Sequence, residues 1–226
     1  MYQKISFKNI DEVNKFYDNL GIKTYWTKNL NDFETIAKIT EMFNLLHSLY
    51  PSIIIKEMGY GNLFFPQYVK LLTANIKGEL AKKLRLKLFN TVLEKEYNNS
   101  SAIYNRGTNG IYFNYMIKTN VEATLIHEFG HAIIHKYNLD KDFSLCRIFN
   151  SASKEFIKNT ISKQATMNIS EFIAECFLYS LLIPNKHPFI STVSNKINMI
   201  TGECEFLKDF KCLRQNNNEK YTTTRK

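Results

Sequence analysis

The stretch Thr124-Leu125-Ile126-His127-Glu128-Phe129-Gly130-His131-Ala132-Ile133 decides how the chain is read. Residues four apart on a helix stand one above the other, so two histidines at this spacing can share one metal ion. At about 100° per residue, His131 falls near 40° from His127 and Glu128 near 100°, which puts all three on one flank. Leu125, Ile126, Phe129, Ala132 and Ile133 fall on the opposite flank. Such a helix buries one side against a core and offers two imidazoles on the other, with a carboxylate placed to act as a base. His135 shares that face but lies about 12 Å along the axis from His127, too far to join both histidines on one ion.

Two imidazoles do not complete a catalytic zinc site, which takes three protein ligands and keeps one position for water. Ser170-Glu171-Phe172-Ile173-Ala174-Glu175-Cys176-Phe177-Leu178 offers two carboxylates four apart on a helix that is otherwise apolar on nearly every side. Burying a carboxylate without a partner costs several kcal/mol, so these acids call for a cation or strong donors. The competing reading is a narrow solvent stripe on a buried helix. Glu171 is the expected third ligand, and Glu175 the expected acceptor for the free ring N–H of a ligating histidine, with their exchange as the alternative. One Zn²⁺ per chain is therefore expected.

With Glu171 placed 40 residues beyond His131, the two segments together resemble the gluzincin catalytic domain of anthrax lethal factor and the clostridial Pro-Pro endopeptidases. The likeness is specific over about residues 105–183 and thin outside them. It implies a zincin-like α+β fold, mostly helical, with a small sheet ahead of the active-site helix, and a zinc endopeptidase acting on a protein or peptide substrate. It also implies that the strand before that helix, Ile111-Tyr112-Phe113-Asn114, aligns substrate by backbone pairing, although a plain edge strand is equally consistent with those residues. The family places an oxyanion-stabilising tyrosine seven residues before its glutamate ligand, where this chain has Gln164. The donor is then either the Gln164 amide or another tyrosine such as Tyr112 or Tyr137. A looser likeness is to phage and mobile-element metallopeptidases that cleave repressors, whose motif helix is followed by an ending like Leu181-Leu182-Ile183-Pro184.

Outward from the motif, helices are expected over Asp11 to Leu20 with Gly21 as stop, and Asn31 to Tyr50, striped by Phe33, Ile36, Phe43, Leu46 and Leu49. Further helices are expected over 67–97, Asn120 to Tyr137, Ser144 to Lys158 and Ile169 to Ile183. Ile53-Ile54-Ile55, between Pro51 and Gly59, reads as a strand. Asn105-Arg106-Gly107-Thr108-Asn109-Gly110 is turn chemistry, so the strand after it belongs to a hairpin or an edge.

At 226 residues, 44% of them hydrophobic, the chain can build one sizeable core. A single domain is expected over 1–214, its helical and strand part at about 1–100 and its active-site part at about 101–214, with a polar, disordered tail over 215–226. The net charge of +9 comes from lysines scattered along the chain. Only Lys82, Lys83, Arg85 and Lys87 cluster, and a solvated helix face explains them, so no nucleic-acid partner is expected. Cys146, Cys176, Cys204 and Cys212 lack metal or redox spacing and are read as reduced thiols. No signal peptide or membrane span is legible, which fits a cytoplasmic protein or one delivered by a non-classical route, and a monomer is expected. The functional expectation is a zinc endopeptidase with Glu128 as base. The alternatives are a weak or inactive zincin-fold binding module of a phage or mobile element, and a repressor-cleaving peptidase.

Overall fold

The computed structural model of the chain describes residues 5–26, 32–61, 100–114, 120–183 and 187–202. The helix expected over 67–97, the basic run at 82–87, Cys204, Cys212 and the polar tail lie outside these residues. Among the described residues the fold is mixed α+β, with seven helices and a four-stranded sheet, and no helix is long and apolar enough to cross a membrane.

The first helix, α1 (Ile10–Asn19), starts where the Asn9 side chain accepts from Glu12 N–H and stops before Gly21, whose φ of 70° suits a residue without Cβ. It leads into β1 (Lys23–Trp26), and α2 (Phe33–Leu49) then crosses to β2 (Glu57–Tyr60), which pairs parallel to β1. Of the stripe on α2, Ile36, Phe43 and Leu46 are fully buried, Leu49 is buried and Phe33 half-buried, and Ile39, outside the stripe, is fully buried as well.

The strand expected at Ile53–Ile55 lies further along the chain. Ile53 and Ile55 are buried and Ile54 is 66% exposed, so the segment alternates like a strand but has no ladder. Pairing with β1 begins at Glu57. Gly59, expected to end the strand, sits inside β2 in register with Tyr25 on one side and Tyr112 on the other.

β3 (Ala102–Asn105) and β4 (Gly110–Phe113) form the hairpin that the turn chemistry implies. Asn105 Oδ1 accepts from the N–H of Gly107 and Thr108, and Asn109 adopts the left-handed φ of 50°. The strand order is β1-β2-β4-β3, parallel except for the antiparallel pair of β3 and β4. β4 is therefore interior, flanked by β2 and β3. The edge reading of Ile111–Asn114 is corrected: among the described residues the edge strands are β1 and β3.

The motif helix, α3 (Val121–Tyr137), is capped by Asn120, whose side chain accepts from Glu122 and Ala123 N–H, and it ends at Asn138 in the left-handed conformation. The helix expected over Ser144 to Lys158 is two. α4 (Phe143–Ser151) ends as Ala152 turns extended, and Ser153 caps α5 (Lys154–Thr160) by accepting from Phe156 N–H. A serine at that position competes with the helix for the backbone, which breaks the continuous pattern. A 3-10 turn at Gln164–Thr166 precedes α6 (Ile169–Leu182), capped by Asn168 through Glu171 N–H, and α7 (Pro188–Thr201) follows.

Leu125, Ile126 and Phe129 of α3 are fully buried, with the Phe129 ring 6.1 Å from that of Tyr50 and 6.5 Å from that of Phe43. Burying a phenylalanine stabilises by about 1.5–3 kcal/mol, so this flank anchors α3 to α2. On the flank toward α6, Gly130 lets the helices approach closely. A Cβ built there would stand 3.3 Å from both Ala174 Cα and Phe177 Cδ1.

Candidate metal centre and active site

α3 supplies His127, Glu128 and His131, and α6, drawn close at Gly130, supplies Glu171 and Glu175 across from them. The three groups His127, His131 and Glu171 could hold a metal ion. His127 Nε2 lies 3.1 Å from His131 Nε2 and 3.2 Å from Glu171 Oε2, and His131 Nε2 lies 3.3 Å from Glu171 Oε1. A tetrahedral zinc with bonds of ~2.0–2.1 Å separates its ligand atoms by about 3.3–3.4 Å. The two imidazole nitrogens are within a few tenths of an ångström of that separation, and the Glu171 carboxylate faces them with a different oxygen toward each ring.

The other nitrogen of each ring is held as well. His127 Nδ1 is 2.8 Å from Glu175 Oε1, and His131 Nδ1 is 3.2 Å from Ser170 Oγ. A proton on Nδ1, donated to these partners, leaves the Nε2 lone pairs facing the triangle. Glu171 sits in the first turn of α6, where the helix dipole favours its negative charge.

The electrostatics anticipate a cation. Burial opposes charge on His127, but Glu171 and Glu175 outweigh it and lift its pKa to about 10. Burial likewise works against ionised Glu171, and the two imidazoles overcome it, holding the carboxyl well below the usual range. Without metal the site therefore carries a proton in a nest of carboxylates, the place an ion would fill.

Glu128 is buried beside the triangle and accepts from the backbone N–H of Tyr104 at 2.7 Å. Burial pushes its pKa up, against the pull of His127 and His131. The site opens into a cleft of about 720 Å³ lined by Ser100 to Tyr104 of the β3 edge, by the motif residues, and by Gln164, Met167, Ser170 and Glu171. His135 lines its far end, its Nδ1 2.9 Å from Tyr104 Oη.

Of the three candidate oxyanion donors, only Gln164 lies in this cleft, with Nε2 2.7 Å from Glu171 Oε2. Tyr137 is turned to Ser52, Oη to Oγ 2.9 Å. Tyr112 donates to Glu57 Oε2 and meets Thr108 Oγ1 at 2.8 Å. Neither tyrosine lines the cleft, so both assignments are withdrawn. Interior β4 has no free edge for substrate, so Ile111, Tyr112, Phe113 and Asn114 cannot align it. β3 borders the cleft instead.

Sequence reasoning missed Ser170 and Tyr104. Ser170 had a signal, since its place beside Glu171 makes it the natural partner for the second ring N–H. Tyr104 acts through its backbone and left none. No protein-family model matches the chain, and no curated protein matches it.

Proposed function

We propose that the chain is a zinc-dependent endopeptidase. The single observation that carries this reading is the spatial relation of the donor triangle to Glu128, a buried carboxyl that lines the same cleft without belonging to the triangle. A purely structural zinc site has no use for a base at that position, whereas hydrolysis requires one.

His127, His131 and Glu171 would hold the ion, with Glu175 and Ser170 fixing the tautomers of the rings. Zinc, when bound, supplies a water of lowered pKa and polarises a peptide carbonyl. Glu128 takes a proton from the attacking water and returns it to the leaving amine. Burial raises its pKa, which makes it a stronger base than a solvated carboxylate. The Tyr104 N–H orients the Glu128 carboxylate through Oε2.

The same reading assigns substrate alignment to β3. Tyr104 N–H points away from β4, toward Glu128, and backbone groups alternate along an antiparallel strand, so Ala102 also presents its N–H and C=O to the open edge. An extended peptide laid along Ser100 to Tyr104 would meet the Ala102 groups within the cleft, while the Tyr104 N–H stays with Glu128. The resemblance to the lethal factor and Pro-Pro endopeptidase group supports the class of reaction.

The deciding experiment is metal analysis of the purified protein paired with cleavage of a mixed peptide library, using Glu128→Gln as control. Stoichiometric zinc with cleavage lost in the variant is expected. Cleavage that is absent from the zinc-loaded wild type, or that survives in Glu128→Gln, refutes the reading.

A further inference from the structure

We propose that Gln164 is a fourth, displaceable ligand that closes the metal site until an incoming group pushes it aside. The inference rests on the reading of the triangle as a zinc centre and goes beyond it.

Gln164 opens the 3-10 turn between α5 and α6, and the turn is pinned by Ala165, which is fully buried. The Gln164 residue itself is exposed, yet its amide is turned inward. Nε2 stands 2.7 Å from Glu171 Oε2 and 3.3 Å from His127 Nε2. These atoms belong to two of the three residues that could hold the ion. An amide nitrogen carries two N–H donors and no lone pair to offer a metal, so in this arrangement it donates to Glu171 Oε2, an oxygen that would otherwise face the ion.

An ion held by those atoms would meet that N–H₂ group with like polarity. Rotation of the amide about its last bond exchanges nitrogen for oxygen in nearly the same volume, because the two ends have almost the same shape. Oε1 then faces the ion, and the position that a catalytic site keeps for water is filled. A neutral amide oxygen is a poorer zinc ligand than an imidazole or a carboxylate, so an entering ligand can replace it. The released N–H₂ group remains beside the reacting centre.

The test uses the full chain loaded with Co²⁺, as wild type, Gln164→Ala and Gln164→Glu. Water-proton relaxation counts the exchangeable water on the ion, and the Co²⁺ absorption follows titration with acetohydroxamate. Gln164→Ala should gain one exchangeable water and bind acetohydroxamate roughly tenfold tighter, about the factor that one competing contact is worth. Gln164→Glu, with a charged oxygen in its place, should bind the probe more weakly than wild type. Equal water counts and equal probe affinities in wild type and Gln164→Ala overturn the inference alone, provided that Co²⁺ uptake depends on His127 and His131. Failure of the wild type to take up Co²⁺ through those histidines overturns the zinc reading as well. The side chain belongs to an exposed residue, so its truncation leaves no core cavity, and an unchanged melting temperature verifies the fold.

Discussion

His127 and Glu175 meet as ring and carboxylate, Nδ1 to Oε1 at 2.8 Å, both buried. The contact turns the Nε2 lone pair of His127 toward His131 and Glu171. Removing a partner of this kind typically costs 10–100-fold in metal affinity. Glu175→Ala should therefore weaken zinc by about that factor, Glu175→Gln by less because its amide oxygen still accepts, and Glu171→Ala should lose stoichiometric zinc. Competition titration with a chelating dye separates the three. Loss of zinc in Glu175→Ala with retention in Glu171→Ala would reverse the two assignments.

Glu128 can be neutralised without losing its structural contact. Glu128→Gln keeps an oxygen for the Tyr104 N–H, so the zinc content and melting temperature should stay close to wild type. Peptide cleavage should fall by about 10²–10⁴, the usual contribution of a positioned base. A variant that unfolds would instead make Glu128 a structural carboxylate, visible directly in thermal melts.

How much of this was legible in the sequence depended on periodicity. The helix period of α3 and α6 reached the triangle, Glu128 and the Glu175 contact, because these side chains sit at fixed spacing on two helices that face one another. The sheet was harder. β1 is four residues of mixed exposure, β2 runs through a glycine, and the interior place of β4 depends on partners far apart in the chain. Periodicity cannot report who pairs with whom. The wrong oxyanion candidates share that cause. Tyr112 sits on β4 and Tyr137 at the last turn of α3, and only the tertiary fold shows that both face away from the cleft.

The raised pKa of His127 has a consequence for the metal-free protein. Its folded value of about 10 exceeds the ordinary 6.5, so the stabilisation is fully present below about pH 6.5 and is lost as pH rises toward 10. The lowered Glu171 describes the same ion pair from the other side and contributes in the opposite window, fading in acid; the two are not summed. In chelator the melting temperature should fall by several degrees between pH 6.5 and 10. With zinc the ion replaces the proton, and the alkaline fall should shrink or vanish. Binding near pH 7 should also release a proton, measurable as a dependence of calorimetric heat on buffer ionisation enthalpy. Parallel pH profiles with and without zinc would refute the assignment.

Gly130 stands just before His131, and it sets the distance between the helix that carries the histidines and the helix that carries the carboxylates. A Cβ there would already stand 3.3 Å from Ala174 Cα, which is backbone and cannot swing aside, and 3.3 Å from Phe177 Cδ1. Alanine regains up to about 1 kcal/mol of helix propensity over glycine, which offsets part of the crowding and leaves its sign open. Valine adds two methyl groups at the same contact and loses most of that gain through its stiff χ1. Gly130→Val should therefore destabilise the fold by about 1–3 kcal/mol, the usual cost of overpacking. It should also push α6 outward, moving Glu171 and Glu175 from the imidazoles together, so zinc affinity should fall more than in Glu175→Ala. Thermal melts in chelator give the first effect and zinc competition the second. A Gly130→Val protein of wild-type stability and zinc affinity would show that the close approach at Gly130 does not hold the site together.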